Sequence, residues 1–227
     1  MITVTAELDG SDVESFRLGH GADPVSELAA RGWAGAVSSV AGVLGDLTIR
    51  YAVRPAAGGP APPAAAGPGL TAGDLREVVP RQRVAAYAVV VEEGRLLLTQ
   101  LSDATGAAGR WNLPGGGLDP DEGPIEAVVR EVAEETGQVV DRVRLVEVMT
   151  QHWVGRSERG PEDYHAVRLL HVARCERPTR PVVHDVGGST SDARWVPLAE
   201  LDGVPVVASV PFALRAVGVL PGHAPQS

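Results

Sequence analysis

The chain has 227 residues and a formal net charge of −9, which argues against a general nucleic-acid or membrane-surface binder, because both need a basic surface. Its single cysteine, Cys175, excludes an internal disulfide and fits a reducing compartment. No run of 18 apolar residues and no signal peptide is visible, so we expect a cytoplasmic protein with no membrane span.

Alternating apolar and polar residues predict two strands within the first 54 residues. One covers residues 1–8 and the other covers residues 46–54. Between them, Pro24 stands at the first turn of a helix predicted for residues 25–31. Residues 1–54 are therefore expected to form a small α+β domain, in which no catalytic constellation is visible.

A linker separates this domain from the rest of the chain. Residues 55–69 are only proline, alanine and glycine, a composition that buries little apolar surface and is typical of a semi-extended segment. We place the linker at residues 55–70, a second domain at 71–220 and a tail at 221–227. All twenty basic residues of the chain are arginine, which, with this richness in alanine, glycine and proline, is typical of a GC-rich bacterial genome.

The second domain mixes predicted strands and helices. Its first strands form a hairpin with Gly94 in the turn. The polar stretch 155–163 is expected to be an exposed loop. The predicted strands cover residues 83–91, 96–101, 111–113, 142–152, 164–174 and 193–196, and the predicted helices cover 72–79, 124–136 and 207–217. Mixed strands with helices predict an α/β/α sandwich around a mixed sheet.

The helix predicted for residues 124–136 carries more glutamate than a surface helix needs. Glu131, Glu134 and Glu135 are spaced at i, i+3 and i+4, so their carboxylates share one face. Three like charges repel one another unless a cation offsets them, and Mg²⁺ prefers oxygen ligands. A solvated acidic face would show the same spacing. Four residues on the other face are expected to pack into the core: Ile125, Val129, Val132 and Thr136.

The residues around these glutamates follow a longer pattern. Gly116, Glu122 and the run Arg130 to Gly137 fit Gly-x5-Glu-x7-Arg-Glu-apolar-x-Glu-Glu-x-Gly-apolar at every fixed position but the last, where Gln138 replaces an apolar residue. This stretch resembles the Nudix box, and the resemblance extends more loosely over residues 81–218. It implies a Nudix-type α/β/α sandwich with a mixed sheet for the second domain, which follows the small α+β domain predicted from the pattern of residues 1–54.

The resemblance also implies roles for the glutamates. Glu134 and Glu135 would be ligands of Mg²⁺ or Mn²⁺, and Glu131 would be a further ligand or the base that deprotonates water. Such ions neutralise phosphate oxygens and lower the pKa of a bound water, which opens a phosphoanhydride to attack. The catalytic group implied by the resemblance is Glu131, Glu134 and Arg130.

Other candidate residues surround the helix. The resemblance makes Glu122 an outer metal ligand or a hydrogen-bond partner, and it makes the carbonyl of Gly115 a ligand. Without side chains, the glycines there let main-chain groups approach a metal or phosphate closely. The fork-shaped guanidinium of Arg130 could hold a glutamate in place. Arg83 and Arg110 could bind substrate phosphates, although lone arginines are more often surface residues.

Four polar residues outside the box are given structural roles. His152 and His165 are predicted near the ends of adjacent strands, where they could face the site but are expected to pack for stability. Asp163 could supply a metal ligand or a general base, but a solvated position is expected. His20 is expected to lie in the core or on the surface.

These observations favour a metal-dependent hydrolase of a small-molecule nucleotide. We expect it to cleave the pyrophosphate bond of a nucleoside diphosphate linked to another moiety, such as ADP-ribose or a nucleotide sugar. One alternative is hydrolysis of ordinary or oxidised nucleoside triphosphates to the monophosphate and pyrophosphate. Another is a Nudix-fold ligand sensor without turnover. No nucleic-acid or membrane partner is expected, and residues 1–54 could cap the site or form a homodimer interface.

Overall fold

The computed structural model describes residues 1–59, 78–157, 160–185 and 187–219. The chain divides into two compact units, one of residues 1–85 and 148–168 and one of residues 86–147 and 169 onward. The elements in chain order are β1 (Ile2–Leu8), β2 (Ser11–Arg17), α1 (Pro24–Ala30), β3 (Trp33–Val43), β4 (Asp46–Pro55), β5 (Pro80–Glu92), β6 (Arg95–Leu101), β7 (Trp111–Asn112), β8 (Gly115–Gly117), α2 (Pro124–Thr136), β9 (Asp141–Ser157), β10 (Gly160–Arg174), β11 (Thr190–Pro197), a 3₁₀ helix (Leu198–Gly203) and α3 (Ser209–Ala216).

A four-stranded sheet of order β2-β1-β4-β3 forms much of the first unit. Strands β1 and β4 pair in parallel, with Ile2 opposite Leu47, and the two outer strands pair antiparallel to them. The predicted strands at residues 1–8 and 46–54 are confirmed, because their alternate residues are buried in one core. The flanking strands β2 and β3 were not predicted from the sequence, since most of their side chains are exposed and give no alternating pattern.

The predicted first helix is confirmed as α1. The side chain of Asp23 caps it by accepting a hydrogen bond from the Ser26 backbone N–H at 2.8 Å, and Pro24 occupies the first turn. Leu28, on the inner face of the helix, is buried in the core. Helix α1 therefore begins and ends where its local signals indicate.

The second sheet has the order β11-β6-β5-β10-β9, with β7 paired to β6 and β8 paired to β5. All its predicted strands are present, and the α/β class with mixed sheets is confirmed. The exposed loop expected at 155–163 is wrong, because β9 continues to Ser157 and β10 begins at Gly160. Pairing of β9 with β10 satisfies backbone groups of the described residues of this polar stretch, those other than 158 and 159, and apolar periodicity alone does not reveal it.

Two sequence predictions fall on residues outside the described ranges. The helix predicted at 72–79 lies mostly there, and its last two residues are not helical. Most of the linker at 55–70 also lies there, so the domain boundaries remain predictions. In the ranges that are described, no helix is long and apolar enough to cross a membrane.

Helix α2 has the predicted bounds but a different buried face. It follows Gly123 and ends at Gly137, whose left-handed conformation (φ 66°) closes the last turn. Ile125 and Val129, expected in the core, are 49% and 39% exposed. The buried face consists of Pro124, Ala127, Val128, Val132, Glu135 and Thr136. Because Glu135 lies on the buried face, part of the acidic face points inward, and Ile125 and Val129 lie on the exposed side of the helix.

Candidate active site

The guanidinium of Arg130 is the centre of a carboxylate network on α2. Its Nε and Nη2 donate to both oxygens of Glu122, at 2.7 and 2.9 Å, and Nη2 also donates to the carbonyl of Gly117 at 3.2 Å. This fork-to-fork pairing lowers the pKa of Glu122, and it raises that of Arg130. Glu122 also accepts from the backbone N–H of Asp119 at 2.9 Å, which anchors the loop before the helix.

The remaining donor of Arg130 connects two of the helix glutamates. Nη1 donates to Glu131 at 3.0 Å and to Glu134 at 3.1 Å. One guanidinium therefore lies within ion-pair distance of four carboxylates, those of Asp119, Glu122, Glu131 and Glu134, which leaves a charge of −3 when all are ionised. The acidic face predicted from the i, i+3, i+4 spacing is only partly compensated by the protein itself.

Glu135 differs from its neighbours because its side chain is buried, with the residue only 4% exposed. One oxygen accepts from the backbone N–H of Gly115 at 2.9 Å, and the other accepts from the hydroxyl of Thr190. Burial raises the pKa of Glu135 to about 7, although these two hydrogen bonds oppose the shift, and the nearby charge of Glu131 adds to it. A buried carboxylate whose pKa lies close to neutral pH is typical of functional sites.

Glu131 and Glu134 occupy more exposed positions on the same helix. Burial also raises the pKa of Glu131, and the ion pair with Arg130 opposes that shift. Glu134 is exposed, with 48% of its side chain accessible, and its backbone carbonyl accepts from the N–H of His184 at 2.8 Å. The solvent exposure of the three glutamates on this arc therefore increases from Glu135 through Glu131 to Glu134.

Glycine is needed at two positions before the helix because neighbouring atoms leave no room for a side chain. Gly115 has φ +142°, and a Cβ built there would lie 2.2 Å from the carbonyl oxygen of Ala86. A Cβ on Gly116 would lie 2.3 Å from a carboxylate oxygen of Glu131. The N–H of Gly115 contacts Glu135, while the approach of this main chain to a metal or phosphate and the role of the Gly115 carbonyl as a ligand stay predictions.

The chemistry of this arc fits a hard divalent cation. Its donors are carboxylate oxygens, it carries excess negative charge, and burial raises the pKa of two of its carboxylates, those of Glu131 and Glu135, a shift that a nearby cation would oppose. Within the part of the chain that the structure describes, the glutamates of α2 do not bring three oxygens within 4.8 Å of one another. A cation bound there would compete with Arg130 for Glu131 and Glu134.

The two predicted phosphate-binding arginines have different surroundings. Arg83 lies on β5 within the first unit, with an exposed side chain. Arg110 precedes β7 and donates to the carbonyl of Val206 at 2.6 Å. Their binding of substrate remains a prediction.

Gln138, the residue that departs from the box pattern, is buried with its amide satisfied. Its oxygen accepts from the N–H of Thr179 at 2.9 Å, and its nitrogen donates to the Thr179 hydroxyl at 3.0 Å and to the Thr136 carbonyl at 3.1 Å. The position remains interior, as in the box pattern, but it packs by hydrogen bonding rather than by apolar contact.

Thr190 is a site residue that the sequence did not reveal. It stands at the start of β11, 55 residues after the glutamate to which it donates. No local pattern connects a single threonine with a carboxylate at that separation. A second group that the sequence did not bring together is His20, His152 and Asp163, whose potential ligand atoms all lie within 4.8 Å of one another in the first unit.

Comparison with protein families agrees with this geometry. A family model described as NUDIX domain matches residues 80–213. The chain belongs to the Nudix domain family. The match contains all of α2, the glycines of β8 and Thr190, so the residues that form the carboxylate network lie within the family domain.

Three similar proteins illustrate the range of this Nudix chain's relatives. An RNA pyrophosphohydrolase of Bartonella tribocorum is 42% identical over 60 residues, which is 26% of this chain and 33% of that protein. Phosphatase NudJ of Escherichia coli O1:K1 is 28% identical over 124 residues, 53% of this chain and 72% of that protein. The solved structure of a MutT NUDIX hydrolase from Burkholderia pseudomallei is 28% identical, with a TM-score of 0.49, over 60% of this chain and 98% of that one. The chain spans about a third of the length of the first curated relatives it matches.

Proposed function

We propose that the chain is a Nudix hydrolase that cleaves a phosphoanhydride bond of a small nucleotide with the help of Mg²⁺ or Mn²⁺. The observation that carries this proposal is the carboxylate network of α2, in which Arg130 holds Glu122, Glu131 and Glu134 beside the buried Glu135. Like charges on one helix face destabilise a helix, so the grouping of Glu131, Glu134 and Glu135 costs stability that a bound cation would offset.

Each residue of the network has a distinct proposed task. Glu131, Glu134 and Glu135 would hold the cation, which, when bound, supplies positive charge for the phosphate oxygens and lowers the pKa of a water. Glu131 is alternatively the base, because its half-buried carboxylate has a raised pKa and so can accept a proton. Glu122 fixes the direction of Arg130, and Arg130 keeps Glu131 and Glu134 on one arc.

The proposed substrate is a nucleoside diphosphate linked to a second moiety, such as ADP-ribose or a nucleotide sugar. Cleavage of its pyrophosphate bond gives two phosphomonoesters. The alternative substrate, an ordinary or oxidised nucleoside triphosphate, gives a monophosphate and pyrophosphate. The two classes therefore differ in a product that can be measured directly.

The test is a substrate panel assayed with Mg²⁺ and with Mn²⁺, containing ADP-ribose, nucleotide sugars, dinucleoside polyphosphates and oxidised and ordinary dNTPs. Added phosphatase reports phosphomonoesters, and added inorganic pyrophosphatase alone reports pyrophosphate. Glu134→Gln should lose most activity and remain folded. Glu200→Gln, which changes an exposed glutamate of the 3₁₀ helix, is the matched control and should retain activity.

The outcomes separate the proposals. Signal that requires phosphatase supports the diphosphate-linked substrate, and signal with pyrophosphatase alone supports the triphosphate. Near-normal turnover by Glu134→Gln would contradict the metal assignment. Silence across the panel, together with saturable nucleotide binding, would favour a Nudix-fold sensor without turnover.

A further inference from the structure

Two histidines and one aspartate converge in the first unit, in a group that is distinct from the carboxylates of α2. His20 lies between β2 and α1, His152 lies on β9, and Asp163 lies on β10. The Nε2 atoms of both imidazoles are 2.7 Å from the same oxygen, Oδ1 of Asp163. His20 and Asp163 are 143 residues apart in sequence, so folding of the unit creates this convergence.

Further polar and main-chain atoms pack against the group, in which His20 is exposed and the other two residues are partly buried. The fully buried ring of His165 lies behind it, with centroids 5.5 Å from the His20 ring and 6.1 Å from the His152 ring. Nε2 of His165 and Nδ1 of His152 are buried without a hydrogen-bond partner. The backbone at Gly21 packs directly on the His152 ring, since a Cβ there would lie 2.6 Å from Nδ1. The histidine side chains are therefore fixed and turned towards one another.

The donor atoms of the cluster suit a divalent transition metal. Oδ1 of Asp163 faces the Nε2 atoms of His20 and His152, and the three potential ligand atoms lie within 4.8 Å of one another. One carboxylate oxygen and two imidazole nitrogens form a mixed oxygen and nitrogen set, which such ions bind as ionised carboxylate and neutral imidazole.

We propose that His20, His152 and Asp163 bind one divalent transition-metal ion such as Zn²⁺ or Co²⁺. Imidazole nitrogens favour these ions, whereas Mg²⁺ favours the oxygen-only set on α2. With metal–ligand bonds of about 2.0–2.1 Å, tetrahedral donors lie about 3.3 Å apart. The 2.7 Å separations between Asp163 and each histidine would thus need to open by only about 0.6 Å, with water completing the coordination.

Such an ion would act as a cross-link. It would join the segment before α1 to both strands of the β9–β10 ribbon, all within the first unit. Metal binding to a site present only in the folded chain stabilises the folded state. The expected consequence is a metal-dependent melting temperature, and it does not rest on the proposed hydrolase activity.

The test uses the full chain with any purification tag removed, stripped of metal by chelation and dialysis. Titration with Co²⁺ is followed by its visible absorption, and titration with Zn²⁺ is followed by calorimetry and by the melting temperature. We expect one tight equivalent with a tetrahedral Co²⁺ spectrum. We also expect melting to rise by roughly 5 °C or more at about a hundredfold excess of free Zn²⁺ over its Kd.

Variants then locate the ion. His20→Asn, at an exposed position, and Asp163→Asn should each weaken Zn²⁺ binding at least about tenfold. His184→Asn, which removes an exposed histidine of the second unit, and Glu134→Gln should leave the Zn²⁺ affinity unchanged. The proposal is overturned if the wild type binds no Zn²⁺ or Co²⁺, or if His20→Asn and Asp163→Asn both bind as tightly as the wild type while circular dichroism shows them folded.

Discussion

The buried carboxylate of Glu135 accepts a hydrogen bond from the backbone N–H of Gly115 at 2.9 Å. This contact joins the glycine strand β8 to helix α2 and places Glu135, a residue that is 4% exposed, at their junction. Because one oxygen contacts main chain and the other a threonine, the position of the side chain is fixed before any ligand binds. The same burial makes the residue costly to ionise, which leads to a measurable pH dependence.

Glu135 should make the metal-free protein less stable as the pH rises from 4.5 to 7. Its pKa increases from an ordinary 4.5 to about 7 on folding, so in this window the folded state binds more protons than the unfolded state. The stabilisation is complete below pH 4.5 and lost above pH 7, and it amounts to about 3 kcal/mol. Glu135→Gln keeps the size of the side chain but cannot titrate, and should lack this contribution.

The measurement is urea unfolding of wild type and Glu135→Gln between pH 5 and 8, without divalent ions. His165 and His171, whose burial lowers the pKa of each to about 4, act in the opposite sense at acid pH. They are present in both proteins, so the difference in unfolding free energy isolates Glu135. A difference that stays constant over this range would contradict the assigned burial effect.

Alanine substitutions at the two glycines should have different effects: Gly115→Ala should mainly reduce stability, and Gly116→Ala should mainly reduce activity. Gly115→Ala places a Cβ against the Ala86 carbonyl at a φ of +142°, so we expect a stability loss of more than about 2 kcal/mol. In Gly116→Ala the three atoms nearest the new Cβ all belong to the carboxylate of Glu131, which can rotate away. It should cost about 1 kcal/mol or less and reduce turnover at least about tenfold.

Thermal unfolding and the hydrolysis assay measure both effects. Gly106→Ala is the control, because that glycine has open space around the position of a Cβ. Equal stability losses for Gly115→Ala and Gly116→Ala would mean that Glu131 is held too rigidly to yield.

The features that could be predicted from the sequence are those that depend on local signals. The bounds of α2 follow from Pro124 in its first turn and Gly137 at its end, both of which act within a few residues. The burial of Glu135 rather than Ile125 did not follow, because it depends on a hydrogen bond to β8 and another to β11. Helical periodicity states which residues share a face, but tertiary contacts decide which face is buried.

Long-range convergence was equally hidden from the sequence. His20 and Asp163 were each given an ordinary structural position, and nothing within either segment indicates that one oxygen of Asp163 meets two imidazoles. Strands β2 and β3 were missed for a related reason. Their stability comes from pairing with the buried strands β1 and β4 rather than from an apolar face of their own.

Arg130 should prove to be a positioning residue, so that its positive charge alone does not maintain normal turnover. Arg130→Lys keeps the charge but loses the two-pronged contact with Glu122, so Glu131 and Glu134 should no longer be held on one arc. We expect turnover to fall by about 10–100-fold. Since the ion pairs are partly solvated, the unfolding free energy should change by about 1 kcal/mol or less.

Arg142→Lys provides the matched comparison, because Arg142 forms one exposed ion pair with Glu176. It should change neither property. A positioning role also predicts that Arg130→Lys needs more Mg²⁺ or Mn²⁺ for half-maximal activity. An unchanged metal requirement, with turnover at the wild-type level, would show that the fork-shaped contact is dispensable.

Restoring the apolar residue of the box at position 138 should destabilise this protein. Gln138→Leu removes the acceptor of the Thr179 N–H and leaves that group without its partner beside a buried side chain. Because Thr179 is itself exposed, its N–H can bind water instead, and the loss is that of the hydrogen bonds of the Gln138 amide, about 0.5–1.5 kcal/mol each, which the added apolar contact does not fully offset. Denaturant unfolding measures the loss, and Gln100→Leu, at a more exposed amide, should cost less. Turnover per folded molecule should stay at the wild-type level, because position 138 follows the end of α2 and its amide contacts none of the glutamates. A gain in stability would mean that the segment around Thr179 repacks to bury leucine without losing its backbone partner.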